Sequence, residues 1–217
     1  GAGGGRRPHL HVDAVQAFGF VPFRAATLGA DTIAVSAHKI HGPKGAGALW
    51  VRPGITLRPL WDGGRQERGL RSGTENVAGW VGLGRAAARA AAFRDGGGPA
   101  AIAELRDLFE REALAAIPGA RRTVEGAPRL PHVSSLVVGE LPAEAVLHSL
   151  EARGVFASAG SACASRARGP SHVLRAVGVG ERAAVLRFSL SRDTTAAEIA
   201  AAVAALGASV AEVAAVA

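Results

Sequence analysis

Lysine occurs at two positions, Lys39 and Lys44, while the other 23 of the 25 basic side chains are arginine. Arginine stays protonated under ordinary conditions, whereas a lysine amine can lose its proton and act as a nucleophile. Both lysines fall in Ser36-Ala37-His38-Lys39-Ile40-His41-Gly42-Pro43-Lys44-Gly45, so this segment either requires an amine or carries two surface charges beside a Gly-Pro turn. A thiol is the second candidate. Cys163, the one cysteine, sits among small residues in Ser158-Ala159-Gly160-Ser161-Ala162-Cys163-Ala164-Ser165. Such flanks favour an exposed loop, and Arg166 and Arg168 would favour the thiolate if the loop brings them near. The competing reading is a small buried hydrophobe, the commoner fate of a lone cysteine.

These groups need elements to position them. His9 to Ala14 alternates as a short strand ending near Asp13, and Thr32 to Ser36 is a β-rich run that delivers His38 and Lys39 at its C-terminal end. Gly47 to Val51 is the next strand. The connection before it is too short for a helical crossover, so these two strands should be antiparallel neighbours. Asp13 and Lys39, 26 positions apart, then lie at strand ends, where open α/β sheets bind ligands. That pair suits pyridoxal phosphate: the lysine forms the Schiff base, and the carboxylate keeps the ring nitrogen protonated so that the ring accepts electrons. An Asp after a strand also serves simply as a turn residue.

Further on, Pro59 to Gly73 is irregular. Thr74 is expected to cap a helix running to about Arg94, with Val77, Trp80, Val81 and Leu83 as its apolar contacts. Gly96-Gly97-Gly98-Pro99 reads as a linker. Beyond it, helices are expected around 102–114, 143–153 and 171–177, with strands at 133–138, 155–157 and 185–190. A last helix carries Ile199, Val203, Leu206, Val210 and Val213, opened by a capping box at Thr195 and Glu198. The expected domains are 1–95, a partial cofactor-binding domain, and 96–217, an α+β domain carrying the Cys163 loop.

Hydrophobic content of 48% and charged content of 20% describe a globular chain. The net charge is +7 and the pI about 11.2, yet the arginines are dispersed and Tyr is absent, which argues against nucleic-acid binding. A lone cysteine excludes an intrachain disulfide and fits a reducing, cytoplasmic compartment. The apolar stretches are alanine-rich and interrupted by charges, arguing against a membrane span. No metal-ligand cluster is expected. Methionine is absent, so an N-terminal portion is expected to be missing.

The segments His11-Val12-Asp13-Ala14-Val15-Gln16-Ala17 and Ser36 to Gly45 resemble the cofactor region of cysteine desulfurases, which are class V, fold-type I pyridoxal-phosphate enzymes. The resemblance continues through Glu67 to Asn76, Arg129-Leu130-Pro131-His132, Ser158 to Ser165 and Arg187-Phe188-Ser189-Leu190-Ser191-Arg192. The cysteine segment is similar to the NifS and IscS group. The fold implied is α/β: the C-terminal part of a mixed-sheet large domain, followed by a small α+β domain. By resemblance, Lys39 would hold pyridoxal 5'-phosphate, Asp13 would pair with its ring nitrogen, and Gln16 would hydrogen-bond its ring hydroxyl. Ser36 and His38 would bind its phosphate, and Thr74 the phosphate held by the partner subunit of a homodimer. Arg187 would grip the carboxylate of L-cysteine. Cys163 would take the sulfur as a persulfide, release alanine and pass the sulfur to an iron–sulfur scaffold or another acceptor protein. The alternatives are a selenocysteine lyase or other class V aminotransferase, or an inactive truncated module. With the family's N-terminal half absent, the isolated 217-residue chain is expected to bind the cofactor poorly.

Overall fold

Thr32-Ile33-Ala34-Val35-Ser36 forms the middle strand of a three-stranded sheet, as its β-branched content favours. The computed structural model describes residues 7–159 and 171–216, and the chain divides into two units, Gly1–Gly96 and Gly97–Ala217. In the first unit, β1 (His11–Asp13) runs parallel to β2 (Thr32–Ser36), pairing Asp13 with Ala34. Strand β3 (Gly47–Val51) is antiparallel to β2, pairing Ser36 with Gly47. The short connection between β2 and β3 therefore does what its length dictates.

The N-terminal end of β2 is tied down electrostatically. Buried Asp31 accepts hydrogen bonds from Leu10 N at 2.9 Å and Arg7 Nη2 at 2.6 Å, and pairs with Arg52 Nη2 at 2.5 Å. The Leu10 backbone donor, followed by the two arginines, outweighs burial and holds its carboxyl below the usual range. Ala14, Ala30 and Ile33 pack beneath the sheet with Phe23 and Trp50.

A four-residue turn, α1 (Gln66–Gly69), in which Glu67 and Arg68 take the left-handed φ values of 47° and 61°, interrupts the loop after β3 and precedes the helix α2 (Val77–Asp95). Thr74 is not the cap of α2. Asn76 takes that place, its side-chain oxygen accepting from Gly79 N at 3.0 Å. The buried face also differs from expectation. It consists of Gly79, Ala86 and Ala90, while Val77, Trp80 and Val81 point outward. Close approach explains this: a side chain at Gly82 would collide with the Pro43 ring, and one at Gly42 would press on Ala86. Small residues are what let the segment after β2 lie against the helix.

In the second unit, Gly98 and Pro99 are not linker residues but the first turn of α3 (Gly98–Ala116). Proline fits there because that turn's N–H groups lack intrahelical acceptors, and Gly97 adopts φ 83° as the N-cap. Four strands follow in the order β4-β5-β7-β6: β4 (Arg121–Arg122), β5 (Val133–Val137), β6 (Ser158–Ala159) and β7 (Val185–Ser189). Strand β4 is short and arginine-only, without apolar alternation to reveal it. Strand β6 starts at Ser158, not Val155, because the paired register begins with Ser158 opposite Arg187. Between β5 and β6 runs α4 (Ala143–Ala152), and α5 (His172–Ala176) follows β6.

The last helix, α6 (Ala196–Ala214), opens with the expected capping box at Thr195 and Glu198. By length and composition it is apolar enough to cross a membrane, but its Ile199, Leu206 and Val213 are buried and it packs on α3 and α4. Leu136, Leu150, Leu186 and Phe109 fill the layer between helices and sheet, with Phe109 against Phe188 at a ring separation of 4.7 Å.

His132 precedes β5 and is 4% exposed. Burial lowers its pKa from 6.5 to about 4. The neutral ring is the folded form, so its contribution is complete above the unfolded value of 6.5 and is lost as pH falls toward 4. Allowing for partial solvent screening, the loss is about 2–3 kcal/mol. In urea titrations from pH 7 to pH 4, His132→Asn should lose less stability than the parent by this amount. Parallel profiles would refute the assignment.

Candidate active site

Beyond Ser36 the chain turns into a 3-10 helix, Ala37–Ile40. Two of its residues anchor it: Ala37 is 0% exposed, and Ile40, at 3%, packs with Ala86 and Ala90 of α2. The other two, His38 and Lys39, face outward. His41 closes the turn in the left-handed region at φ 63°, and both its N–H and that of Gly42 bond to Ala37 O. A non-glycine residue rarely adopts that conformation, which persists where surrounding contacts enforce it. Lys39 thus stands exposed on a turn whose first and last residues are buried.

The neighbouring groups come from the same sheet edge. Because β1 and β2 are parallel, Asp13 and Ser36 end adjacent strands at the same side. Asp13 Oδ1 accepts from Val15 N at 3.0 Å, and its other oxygen makes no hydrogen bond among the described residues. The aspartate therefore serves its turn and keeps an oxygen available. Gln16 is exposed in the turn that follows. Ser36 Oγ and His38 Nδ1 lie 2.7 Å apart, joining a hydroxyl and an imidazole next to the lysine. Amine, carboxylate, amide, hydroxyl and imidazole are the donor set that an aromatic aldehyde bearing a ring nitrogen and a phosphate needs. Lys39 makes no ion pair among the described residues. Lys44 is exposed in the following turn, among residues of the same motif.

Thr74 is exposed before α2, where Arg71 Nη1 donates to its carbonyl at 3.2 Å. Its hydroxyl, not used as the helix cap, makes no hydrogen bond among the described residues. Arg187 belongs to the second unit, in the middle of β7. Its Nη2 donates to Ser158 Oγ at 3.4 Å, and its buried Nε has no hydrogen-bond partner among the described residues. Cys163 lies outside the described residues. Ser158, which accepts the bond from Arg187, is a residue that the sequence does not single out. It belongs to the cysteine segment, but a partner 29 positions away across an antiparallel pair leaves no local signal.

The aminotransferase class-V family model matches residues 7–201. The chain is similar to the cysteine desulfurase of Cereibacter sphaeroides, with 49% identity over 192 residues covering 88% of this chain and 49% of that protein. It is also similar to that of Rhodobacter capsulatus, at 50% identity over 192 residues, 88% of this chain and 50% of that protein. Among solved structures, a NifS-like protein superposes with a TM-score of 0.81 at 34% identity, over 92% of this chain and 52% of that one. A NifS-like protein from Rickettsia africae gives 0.83 at 31%, over 93% and 53%. The chain spans about half the length of the curated relatives it matches.

Proposed function

Because the chain belongs to the class-V aminotransferase family, whose membership implies pyridoxal-phosphate dependence, we propose that it serves the cysteine desulfurase reaction. L-cysteine gives up its sulfur to Cys163 as a persulfide, and L-alanine leaves. The observation that carries this reading is the Lys39 turn, an exposed amine held between buried Ala37 and Ile40 beside the Ser36–His38 pair.

The cofactor, when bound, supplies the electron sink that allows bonds at the substrate carbons to break. Lys39 presents its amine to the aldehyde carbon, and Asp13 its carboxylate to the ring nitrogen. Gln16 serves the ring hydroxyl. Ser36 and His38 serve the phosphate, and Thr74 the phosphate on the partner subunit of a homodimer. Arg187 grips the substrate carboxylate. A half-buried guanidinium with an unpartnered Nε and no acidic partner among the described residues supports that role, since buried cations are ordinarily paired.

At Cys163 a sulfur–sulfur bond forms while the carbon–sulfur bond of the substrate breaks. Its electron pair stays on carbon, which takes up the proton that the thiol loses. L-cysteine and a thiol thereby become L-alanine and a persulfide without any oxidant. The persulfide then passes to an iron–sulfur scaffold or another acceptor protein, in a reducing cytoplasmic setting where a lone thiol persists.

Incubation with pyridoxal phosphate, L-cysteine and dithiothreitol should yield alanine and sulfide in equal amounts. Cys163→Ser should lower both by at least about 100-fold while cofactor absorbance persists. Undiminished alanine in that variant would overturn the role of Cys163, and no alanine from the unaltered protein, even when supplemented with the N-terminal half of a relative, would overturn the reading itself.

A further inference from the structure

Arg187 lies in a row of residues paired across three strands. Its cross-strand partners are Ser135 on β5 and Ser158 on β6. Residues directly opposite share a face, so all three side chains project to the same side of the sheet. Leu186 and Phe188 project to the other side, where Phe188 meets Phe109 of α3. Of the two serines, Ser158 alone bonds to the guanidinium, through Nη2 at 3.4 Å. Among the described residues, the same arginine has a buried, unpartnered Nε and no hydrogen bond at Nη1.

We propose that Ser158 is a positioning residue for Arg187, holding one arm of the guanidinium against β6 so that its remaining donors stay turned to an incoming carboxylate. This rests on the reading of Arg187 as the carboxylate clamp. A long, unrestrained arginine loses much rotamer freedom when it grips a ligand. A tether made beforehand lowers that cost, which is the general gain from preorganisation. The serine takes no part in the chemistry, and its effect falls on carboxylate binding.

The test compares calorimetric binding of L-alanine with that of L-alaninamide, which lacks the carboxylate, on the cofactor-loaded protein. The contribution of the amine cancels in the ratio of variant to parent. Ser158→Ala should weaken L-alanine about five- to tenfold and change L-alaninamide less than about twofold. Ser158→Thr should restore most of the difference, and Ser135→Ala, which removes a hydroxyl from the same face without touching the guanidinium, should leave the ratio unchanged. In turnover, KM for L-cysteine should rise in the same proportion with kcat held. Equal weakening of both ligands, or an equal effect from Ser135→Ala, would overturn the inference in favour of a general structural role. If Arg187→Gln abolishes the carboxylate preference but Ser158→Ala does not, the inference falls and the clamp stands. If Arg187→Gln keeps the preference, the clamp reading falls and takes the inference with it.

Discussion

Lys39→Ala should lose the visible absorbance of lysine-bound pyridoxal phosphate and, with it, alanine formation by on the order of 10⁴-fold, the scale seen when a covalent nucleophile is removed. The fold should not suffer. The side chain is exposed, and the turn is held by its neighbours Ala37 and Ile40, so its truncation should stay within about 0.5 kcal/mol of the parent. Activity and stability are therefore separable at this position. Lys39→Arg sharpens the test, because it restores the positive charge without an amine that can be deprotonated. Equal losses in the two variants point to the amine, whereas recovery with arginine would mean that charge was all the site required. Lys44→Ala should retain cofactor and activity within a few-fold. Were the two lysines to exchange these outcomes, the assignment of the reactive amine would be wrong.

The position of Lys39 at a strand end is legible in the sequence because both strands flanking it carry strong local signals. Thr32-Ile33-Ala34-Val35-Ser36 is dense in strand formers, and the few residues before Gly47 allow only an antiparallel return. The capping box at Thr195 is equally local, a matter of two residues three apart. What escapes the sequence depends on partners distant in the chain. The inward face of α2 is glycine and alanine because Pro43 and Gly42 press close to it, an approach that a hydrophobicity pattern on the helix alone cannot reveal. By that pattern Val77, Trp80 and Val81 resemble core. The Thr74 and Asn76 caps differ by two positions, and both residue types cap helices well, so the choice falls to the geometry at Gly79. The tether between Ser158 and Arg187 depends on the pairing of β6 with β7, which no local pattern encodes.

Glu110 is the clearest case of a residue whose importance is invisible in sequence, and removing its partners should have the largest effect on stability. In α3 it looks like an ordinary helix-surface acid, yet it is 0% exposed. Arg122 Nε reaches it at 2.7 Å from β4, and both Nη atoms of Arg129 reach it from the loop before β5. Burial by itself would raise its pKa, but the hydrogen bonds from Arg129 and then Arg122 outweigh that and hold the carboxyl below its ordinary value. The carboxylate thus clips the segment leading into β5 against α3. An exposed ion pair contributes about 0–1 kcal/mol, but leaving a buried charge without its partners costs about 3–5 kcal/mol. The double variant Arg122→Met, Arg129→Met should lose stability on that scale at neutral pH, as read from urea midpoints. Adding Glu110→Leu should recover most of it, since the loss comes from the stranded charge. The pH dependence should reverse sign. In the parent, the contribution of Glu110 is present above its unfolded pKa near 4.5 and lost as pH falls through the depressed folded value. In the double variant burial, the largest single cause, is opposed only by the Ser134 hydroxyl, so the folded pKa should rise above the unfolded value and stability should improve as pH drops from neutral toward that range. A double variant that loses less than about 1 kcal/mol, or whose profile runs parallel to the parent's, would mean that the carboxylate finds water or another cation and that the clip does not hold this unit together.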